Sequence, residues 1–485
     1  MGIVKYIKGK FGGKAGRRRQ SYRGFNAAKA TRLLNGWTTT AETPDSAIKG
    51  GLVALVARAR DSYLNNPFAR RFVGLCRDNI VGPVGVKMQA RAMGNDGQPD
   101  TKANTAIEKA WKRWCRAETC DISQRKTWIG MQNQAITSAA VDGEILARGI
   151  VGNVAGEFQF SLQHLDPALL DPGYCAELSD GRYIRMSIEY DRYGRALAYH
   201  LKQYDTSNAG YVSNFNGRRY LPIPADQIIH AFTDDQVGQT RGYPWMSTVL
   251  DMLKMLDAYF EAAVTAARGG ASKMGFITTD DGEYRGDGED ADGATISEFE
   301  PGLLETLARG EAFTAFDPRY PHEMFADFVK DCLRQIASGL NVSYTGISGN
   351  LEGVSFSSIR TGVLEEREHW KSLQNWFIEN YCRPVYEMWL SNALLAGAIV
   401  VEGRRLRIDQ EEKYLNVFWQ GRRWPWVDPL KDIATHTKAV ELGSGTVSKA
   451  IREQGEDPEE VFAERAWELP LLAATKPVDD NGGQE

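Results

Sequence analysis

The spacing of hydrophobic positions changes several times along the chain. From Ile48 to about Val141 helical signals dominate, interrupted by the breakers Asn66-Pro67 and Gly82-Pro83. The period then falls to two. Ile184, Met186, Ile188 and Tyr190 alternate with polar residues, Asp191 to Gly194 supplies turn chemistry, and Leu197, Tyr199 and Leu201 alternate again, which predicts a β-hairpin. After Pro244 helical spacing returns in Met252, Met255/Leu256, Tyr259/Phe260, Ala263 and Ala267, and Gly269-Gly270 stops it. Residues 245–268 would span about 36 Å as one helix.

Residues 272–321 form a Gly- and acid-rich insertion with short apolar pieces, and Phe325, Phe328/Val329, Cys332/Leu333 and Ile336 then predict another helix. Residues 341–356 hold Gly346, Gly349 and Gly353 among polar residues. Their larger apolar members, Val342, Tyr344, Ile347, Leu351 and Val354, are too few to add much core, so the segment reads as a flexible loop. A very long helix is expected from about Ser357 into the 390s, with Ile359, Val363, Trp370, Leu373, Phe377 and Tyr381 on one stripe and a kink at Pro384. A last helical section follows Trp426-Val427-Asp428-Pro429 and ends near Trp467, leaving a polar tail, and no internal repeat of 20 to 50 residues is visible.

At 485 residues two or more subdomains are expected, and 42% hydrophobic with 25% charged residues suits a folded protein. The charged start has no apolar run behind it, and no apolar stretch approaches the roughly 20 residues of a membrane span. A soluble, intracellularly made protein without a membrane partner is expected. Cys76, Cys115, Cys120, Cys175, Cys332 and Cys382 form no Cys-x-x-Cys pair, which predicts free thiols.

The net charge of -5 conceals a polarised distribution. The first 41 residues carry ten Lys/Arg and no acid, centred on Arg17, Arg18 and Arg19, and read as a mobile basic arm. Asp280 to Glu300 carries nine acids against one base, and Glu453 to Glu485 ten against two. Different partners at different ends follow from such asymmetry.

Catalytic motifs are missing. Gly13-Lys14 has Lys8 where a phosphate-binding loop needs Gly, and Ala15 follows it. Gly443-Ser444-Gly445 lacks the third glycine of a dinucleotide loop, and Gly346-Ile347-Ser348-Gly349 is not a nucleophile elbow. The six histidines stand apart, so neither metal nor cofactor is expected. An enzyme reading would rest on Asp280, Asp281, Asp287, Glu289, Asp290 and Asp292 acting as a metal-dependent nuclease, but a Gly-rich loop is a poor support for rigid metal ligands. A nucleic-acid-binding structural protein that works through its basic arm, a virion component forming no channel, is the third reading.

Several motifs in order go further than periodicity. Arg58-Ala-Arg60-Asp61, Asn65-Asn66-Pro67-Phe68-Ala69-Arg70-Arg71 and Asp78-Asn79-Ile80-Val81-Gly82 are followed by Trp111-x-x-Trp114, Cys120-Asp121 and Asp142-Gly143-Glu144. Next come Ile223-Pro224-Ala225, Ile229-His230 and the most specific cluster, Gly238-Gln239-Thr240-Arg241-Gly242-Tyr243-Pro244, then Ser355-Phe356-Ser357-Ser358-Ile359-Arg360 and Trp426-Val427-Asp428-Pro429. In these the chain resembles the lambda-type family of tailed-bacteriophage portal proteins over roughly Tyr22 to Trp467. One departure is Val354-Ser355-Phe356-Ser357-Ser358, where the family usually has Asn-Tyr-Ser-Ser.

The resemblance implies an α+β portal fold. After the arm (1–40) it has a β-containing wing (41–244), a two-helix stem (245–271 and 322–340) and a small clip (272–321). A tunnel loop (341–356), a long kinked helix with the remaining wing (357–424), a helical crown (425–472) and a polar tail (473–485) complete it. It implies no enzyme but a homo-oligomeric ring, a dodecamer in the particle, at one capsid vertex of a virion assembled in the host cytoplasm. Double-stranded DNA would pass without sequence specificity during packaging, retention and ejection, while an external motor supplies force. A net charge of -5 per copy gives roughly -60 over twelve, which repels the duplex and keeps it moving. Asn341, Ser343, Tyr344, Thr345, Ser348, Asn350 and Glu352 would face the tunnel. Asp287, Glu289, Asp290 and Asp292 would dock the large terminase subunit and then the head-tail adaptor, and major capsid and scaffold proteins would be further partners.

Overall fold

A computed structural model describes residues 38, 40–205, 210–212, 220–271, 275–279, 288–289, 295–296, 311–315, 324–352, 356–424 and 429–475. Helix α1 (Pro44–Asn65) starts where the Thr43 hydroxyl accepts the Ser46 N–H. It ends at Asn66, whose carboxamide accepts the Phe68 and Ala69 N–H groups at 2.9 Å each and so caps α2 (Pro67–Cys76). Pro67 costs nothing at the first helical position, because its missing N–H would have had no helical partner there. The Asn-Pro breaker therefore turns the chain without a loop. A π-turn at Arg77–Val81 follows, then α3 (Thr101–Trp114), α4 (Ala117–Cys120) and α5 (Trp128–Asp142).

The main core gathers around aromatic rings. Trp111 stacks on Trp114 at 4.7 Å and meets Trp389 edge-on at 4.9 Å. The Trp114 indole donates to the Phe160 carbonyl at 2.9 Å, so the Trp-x-x-Trp motif serves packing.

Two antiparallel sheets sit beside these helices. One orders Ile228–Phe232, Glu144–Val151 and Phe160–Leu165; the other orders Leu221–Pro224, Ala196–Leu201, Ile188–Tyr190, Tyr183–Arg185 and Ala176–Glu177. The run from Ile184 to Tyr190 is not one strand. Met186 and Ser187 both take positive φ (48° and 71°) and fold it into a hairpin pairing Arg185 with Ile188. Cross-strand partners share a face, so Tyr183, Ile188 and Tyr190 line one side of this hairpin and Ile184 the other, and Ile184, Met186, Ile188 and Tyr190 are all buried without sharing one face.

The first long helix of the second half, α6 (Leu250–Ala271), begins five residues later than the spacing suggests. It packs on α7 (Phe325–Gly339), with Tyr259 stacked on Phe325 at 5.3 Å. Leu253, Leu256 and Ala263 form the buried stripe, whereas Met255 is 67% exposed and Phe328 also faces outward. Helix α8 (Tyr344–Ser348) lies between α7 and α9 (Phe356–Phe377), and α9 continues through a π-turn at Ile378–Cys382 into α10 (Arg383–Ala396). The widened turn ends just before Pro384, which has no N–H for the ladder, so the expected irregularity takes the form of a π-turn.

After α11 (Glu411–Tyr414), the strand Val417–Gln420 pairs with Lys87–Ala90. Helices α12 (Pro429–Glu441), α13 (Val447–Gln454) and α14 (Pro458–Thr475) close the chain. Gln89 donates to Asp457 at 2.7 Å and Lys112 pairs with Glu460 at 3.2 Å, which seats this module on the body. Within the acidic insertion Gly275–Thr279 pairs with Glu311–Ala315, and Gly288–Glu289 with Thr295–Ile296. Among the described residues no helix is long and apolar enough to cross a membrane.

Candidate functional site

The segment joining α7 to α9 divides into an anchored base and an exposed tip. Asn341 leaves α7 at φ 53° and its carboxamide donates to His369 Nδ1 on α9 at 2.9 Å; burial pushes the His369 ring below its usual range, which suits that acceptor role. The Ser343 hydroxyl caps α8 by accepting the Gly346 N–H at 3.0 Å, Thr345 reaches Ser343, and Ser348 donates back to the Tyr344 carbonyl at 2.8 Å. The Arg334 guanidinium lies 5.9 Å from the Tyr344 ring centre, and Arg71 on α2 donates to the Gly346 carbonyl. Ile347 is only 1% exposed and, with Val342, belongs to the main core.

This base corrects the reading of 341–356 as a flexible loop with little core. Five of its residues form a helix, held by one buried isoleucine and an arginine from a distant helix. The tip begins at Gly349, which ends α8 at φ 71°, and Asn350, Leu351 and Glu352 are exposed. Residues 353–355 lie outside the described residues, as do Arg17, Arg18, Arg19, Asp287, Asp290 and Asp292. Glu289 falls in the two-residue strand Gly288–Glu289.

A second constellation is buried. Arg241 grips Glu144 through Nε at 2.7 Å and Nη2 at 2.8 Å, and spends its remaining donors on the Leu170, Met186 and Pro167 carbonyls. Glu144 also accepts the Gly242 N–H at 2.7 Å and lies 3.3 Å from His230 Nε2. Burial alone would push its pKa up; Arg241 and His230 win and hold it down at about 2. Gly143 has φ 86°, and a Cβ there would overlap the Tyr243 backbone, while a Cβ on Gly242 would overlap the Gly143 carbonyl. Asp142-Gly143-Glu144 and the segment 238–244 are thus one interlocked unit.

Neighbouring charges extend the lock. Asp45 on α1 accepts from the Thr240 N–H at 2.8 Å and its hydroxyl at 3.0 Å, and pairs with Arg185 at 3.0 Å. Arg60 bridges Asp142 at 2.7 Å and Asp166 at 2.5 Å across a cleft of about 320 Å³ that His164 also lines. These carboxylates are committed to arginines, and Ser138 donates to the Glu144 carbonyl at 2.7 Å, so the cleft has structural bonds where an activated nucleophile would be needed. Among the described residues no group of His, Cys, Asp and Glu is arranged to hold a metal.

Known proteins resemble the chain along most of its length. A family model described as "Phage portal protein, lambda family" matches residues 30–374. The "Probable portal protein" of Halomonas phage phiHAP-1 is 33% identical over 450 residues, covering 91% of this chain and 85% of that protein. Portal protein B of Escherichia phage lambda is 23% identical over 484 residues, covering 90% and 87%. A solved chain from the virion of a native gene transfer agent particle aligns over 83% of this chain and 94% of its own, with 13% identity and a TM-score of 0.43.

Proposed function

We propose, from the premise that the chain belongs to the lambda family of phage portal proteins, that its copies close into a ring whose lumen is lined in part by the tip at 349–352. A portal protein is the DNA channel at the capsid vertex, a structural component of the virion and not an enzyme. The observation that carries the tip assignment is its charge. From Asn341 to Phe356 there is no Lys or Arg and a single acid, Glu352. Duplex DNA carries about one negative charge per 1.7 Å, so a lining without cations touches it sterically and does not hold it. The base supports the same reading, because Ile347 and Arg71 fix where the tip leaves the body while Asn350 to Glu352 stay exposed.

In this reading residues 41–244 and 357–424 form the wing, α6 and α7 the stem, and residues 425–472 the crown. The acidic insertion at 272–321 is the clip. There Asp287, Glu289, Asp290 and Asp292 dock the terminase motor during packaging and the head-tail adaptor afterwards, since a surface of one sign selects partners of the other. The arm around Arg17, Arg18 and Arg19 contacts DNA or scaffold.

Electron microscopy of the purified chain tests the ring. A closed ring, twelvefold in the particle, with a central hole of duplex width is expected without nucleotide or metal. A chain that stays monomeric at every concentration and salt, and in infected cells, overturns the reading.

A further inference from the structure

The asparagine that caps α2 uses only half of its carboxamide for the cap. While Oδ1 accepts the Phe68 and Ala69 N–H groups, Nδ2 donates at 2.9 Å to Asp257 Oδ1 on α6, 191 residues away, and the Asn66 side chain is buried. Further along α2, Arg71 donates to the Gly346 carbonyl in α8. Its guanidinium also lies beneath Gly349, where a Cβ would come within 3.7 Å of it. Leu75, one turn on and on the same side, lies against Gly346.

The helix that carries these contacts is held as one body. α2 runs without a break into the π-turn at Arg77–Val81, so residues 67–81 form a rod about 20 Å long. Phe72, Val73, Cys76, Ile80 and Val81 bury it in the main core, where close packing leaves little room for it to shift by itself. At its far end Asn79 accepts the Trp424 indole N–H at 3.0 Å, and the Asn79 carbonyl accepts from Gln374 on α9 at 2.7 Å.

We propose that residues 66–81 are a strut that sets where the tip stands relative to α6, with Asn66, Asp257 and Arg71 as positioning residues. The functional weight of this rests on the reading above, in which α6 belongs to the stem and 349–352 line the lumen: the strut then ties the lumen lining to the stem helix. The sequence neighbours of the tip hold a different part of its base. Asn341 meets His369, and Val342 and Ile347 enter the core, whereas Arg71 meets α8 at Gly346 and Gly349, where the tip departs. A carboxylate acceptor at one end of the strut and a guanidinium donor at the other make both ties charge-assisted, the stronger kind of hydrogen bond.

Hydrogen exchange of the full chain tests the strut. The Ile347 and Gly349 amides are bonded within the base, to the Ser343 and Thr345 carbonyls, and report its opening. Asp257→Ala, which does not touch α8, should raise their exchange roughly tenfold, and Asp257→Asn, which keeps an acceptor for Asn66, should restore the wild-type rate. In an Arg71→Ala background the Asp257→Ala step should change the same amides by less than about twofold, because the route is already cut. Should Asp257→Ala fail to fold, Asn66→Ser gives the same readout, since it keeps a capping oxygen on α2 but is too short to reach Asp257. Unaltered exchange at Ile347 and Gly349 overturns the strut. So does an undiminished effect of Asp257→Ala without Arg71, or an Asp257→Asn that behaves as Asp257→Ala. Exchange is read without DNA, so a tip that proves to lie outside the lumen removes the functional reading and leaves the strut standing.

Discussion

Arg241 and Glu144 stand 97 residues apart and meet through two hydrogen bonds where their side chains are 3% and 1% exposed. A buried pair of this kind is costly to break from one side, since the survivor keeps its desolvation penalty without its partner. Glu144→Gln should therefore destabilise the chain by about 3 to 5 kcal/mol, and Arg241→Met by a similar amount. In the double variant the losses should be far from additive. With the folded pKa at about 2 against an ordinary 4.5, the carboxylate's contribution is complete above about pH 4.5 and lost as pH falls toward 2. Urea unfolding at matched protein concentration measures all of this, and additive losses would show that the pair is not coupled.

A second pH dependence lies in the neighbouring cleft, which His164 lines. His164 Nδ1 donates to Gln134 Oε1 at 3.1 Å, and Nε2 lies 2.6 Å from the Tyr381 hydroxyl, which donates to it when the ring is neutral. Burial first, then Lys126, lower its pKa to about 4, with Asp121 opposing. The unfolded chain takes up a proton near the ordinary 6.5 that the folded chain refuses, so this stabilisation is full above about pH 6.5 and lost as pH falls through 4. His164→Gln keeps an acceptor for Tyr381 and should flatten the fall in unfolding midpoint between those values by up to one proton. An unchanged slope would place the titration elsewhere.

The parts of the fold that were legible in the sequence are those whose signal is local. Asn66-Pro67 is a cap and a first-turn proline within two residues, and the stripes of α6, α7 and α9 repeat over several turns. The hairpin at Met186-Ser187 was hidden because burial on both of its faces leaves Ile184, Met186, Ile188 and Tyr190 alternating as a single strand would, and because neither turn residue is the glycine or asparagine that usually marks positive φ. Helix α8 is too short to show a period, and its stability comes from Ile347 meeting the core and from Arg71, 275 residues away. The motifs 142–144 and 238–244 were visible separately; that they form one interlocked charge cluster is a property of tertiary contact alone. The cap residue Ser343 ahead of Ile347 was the one available sign of α8.

The two glycines of that cluster give a steric prediction. Gly143→Ala places a methyl on the Tyr243 carbonyl at a backbone φ of 86°, and Gly242→Ala drives one into the Gly143 carbonyl. Neither obstacle is a flexible side-chain end, so both variants should accumulate as insoluble protein or melt well below wild type, by on the order of 3 kcal/mol or more. Gly50→Ala on α1, where a methyl meets nothing within 4 Å, is the control and should be neutral or slightly stabilising in a helix interior. Soluble yield and thermal unfolding of the three proteins separate the cases; a well-behaved Gly143→Ala would refute the interlock.

The division of 341–352 into base and tip predicts two opposite phenotypes from adjacent changes. Ile347→Ala removes buried methyl and methylene groups from the core that anchors α8, and should cost about 2 to 5 kcal/mol. Deleting Asn350 to Glu352 removes exposed residues, including a leucine that is 65% exposed, and shortening a loop changes its closure entropy by only a few tenths of a kcal/mol. Thermal stability and ring assembly should therefore survive the deletion, and yet heads should be empty or lose their DNA if the tip lines the lumen. An outer-surface connector would give normal DNA-filled heads from the same deletion. Counting filled and empty capsids by electron microscopy decides between them, with Ile347→Ala as the comparison in which any loss of packaging is accompanied by a lower melting temperature. Full heads from the deletion would remove 349–352 from the channel while leaving the anchored base, the buried lock and the family assignment as they are.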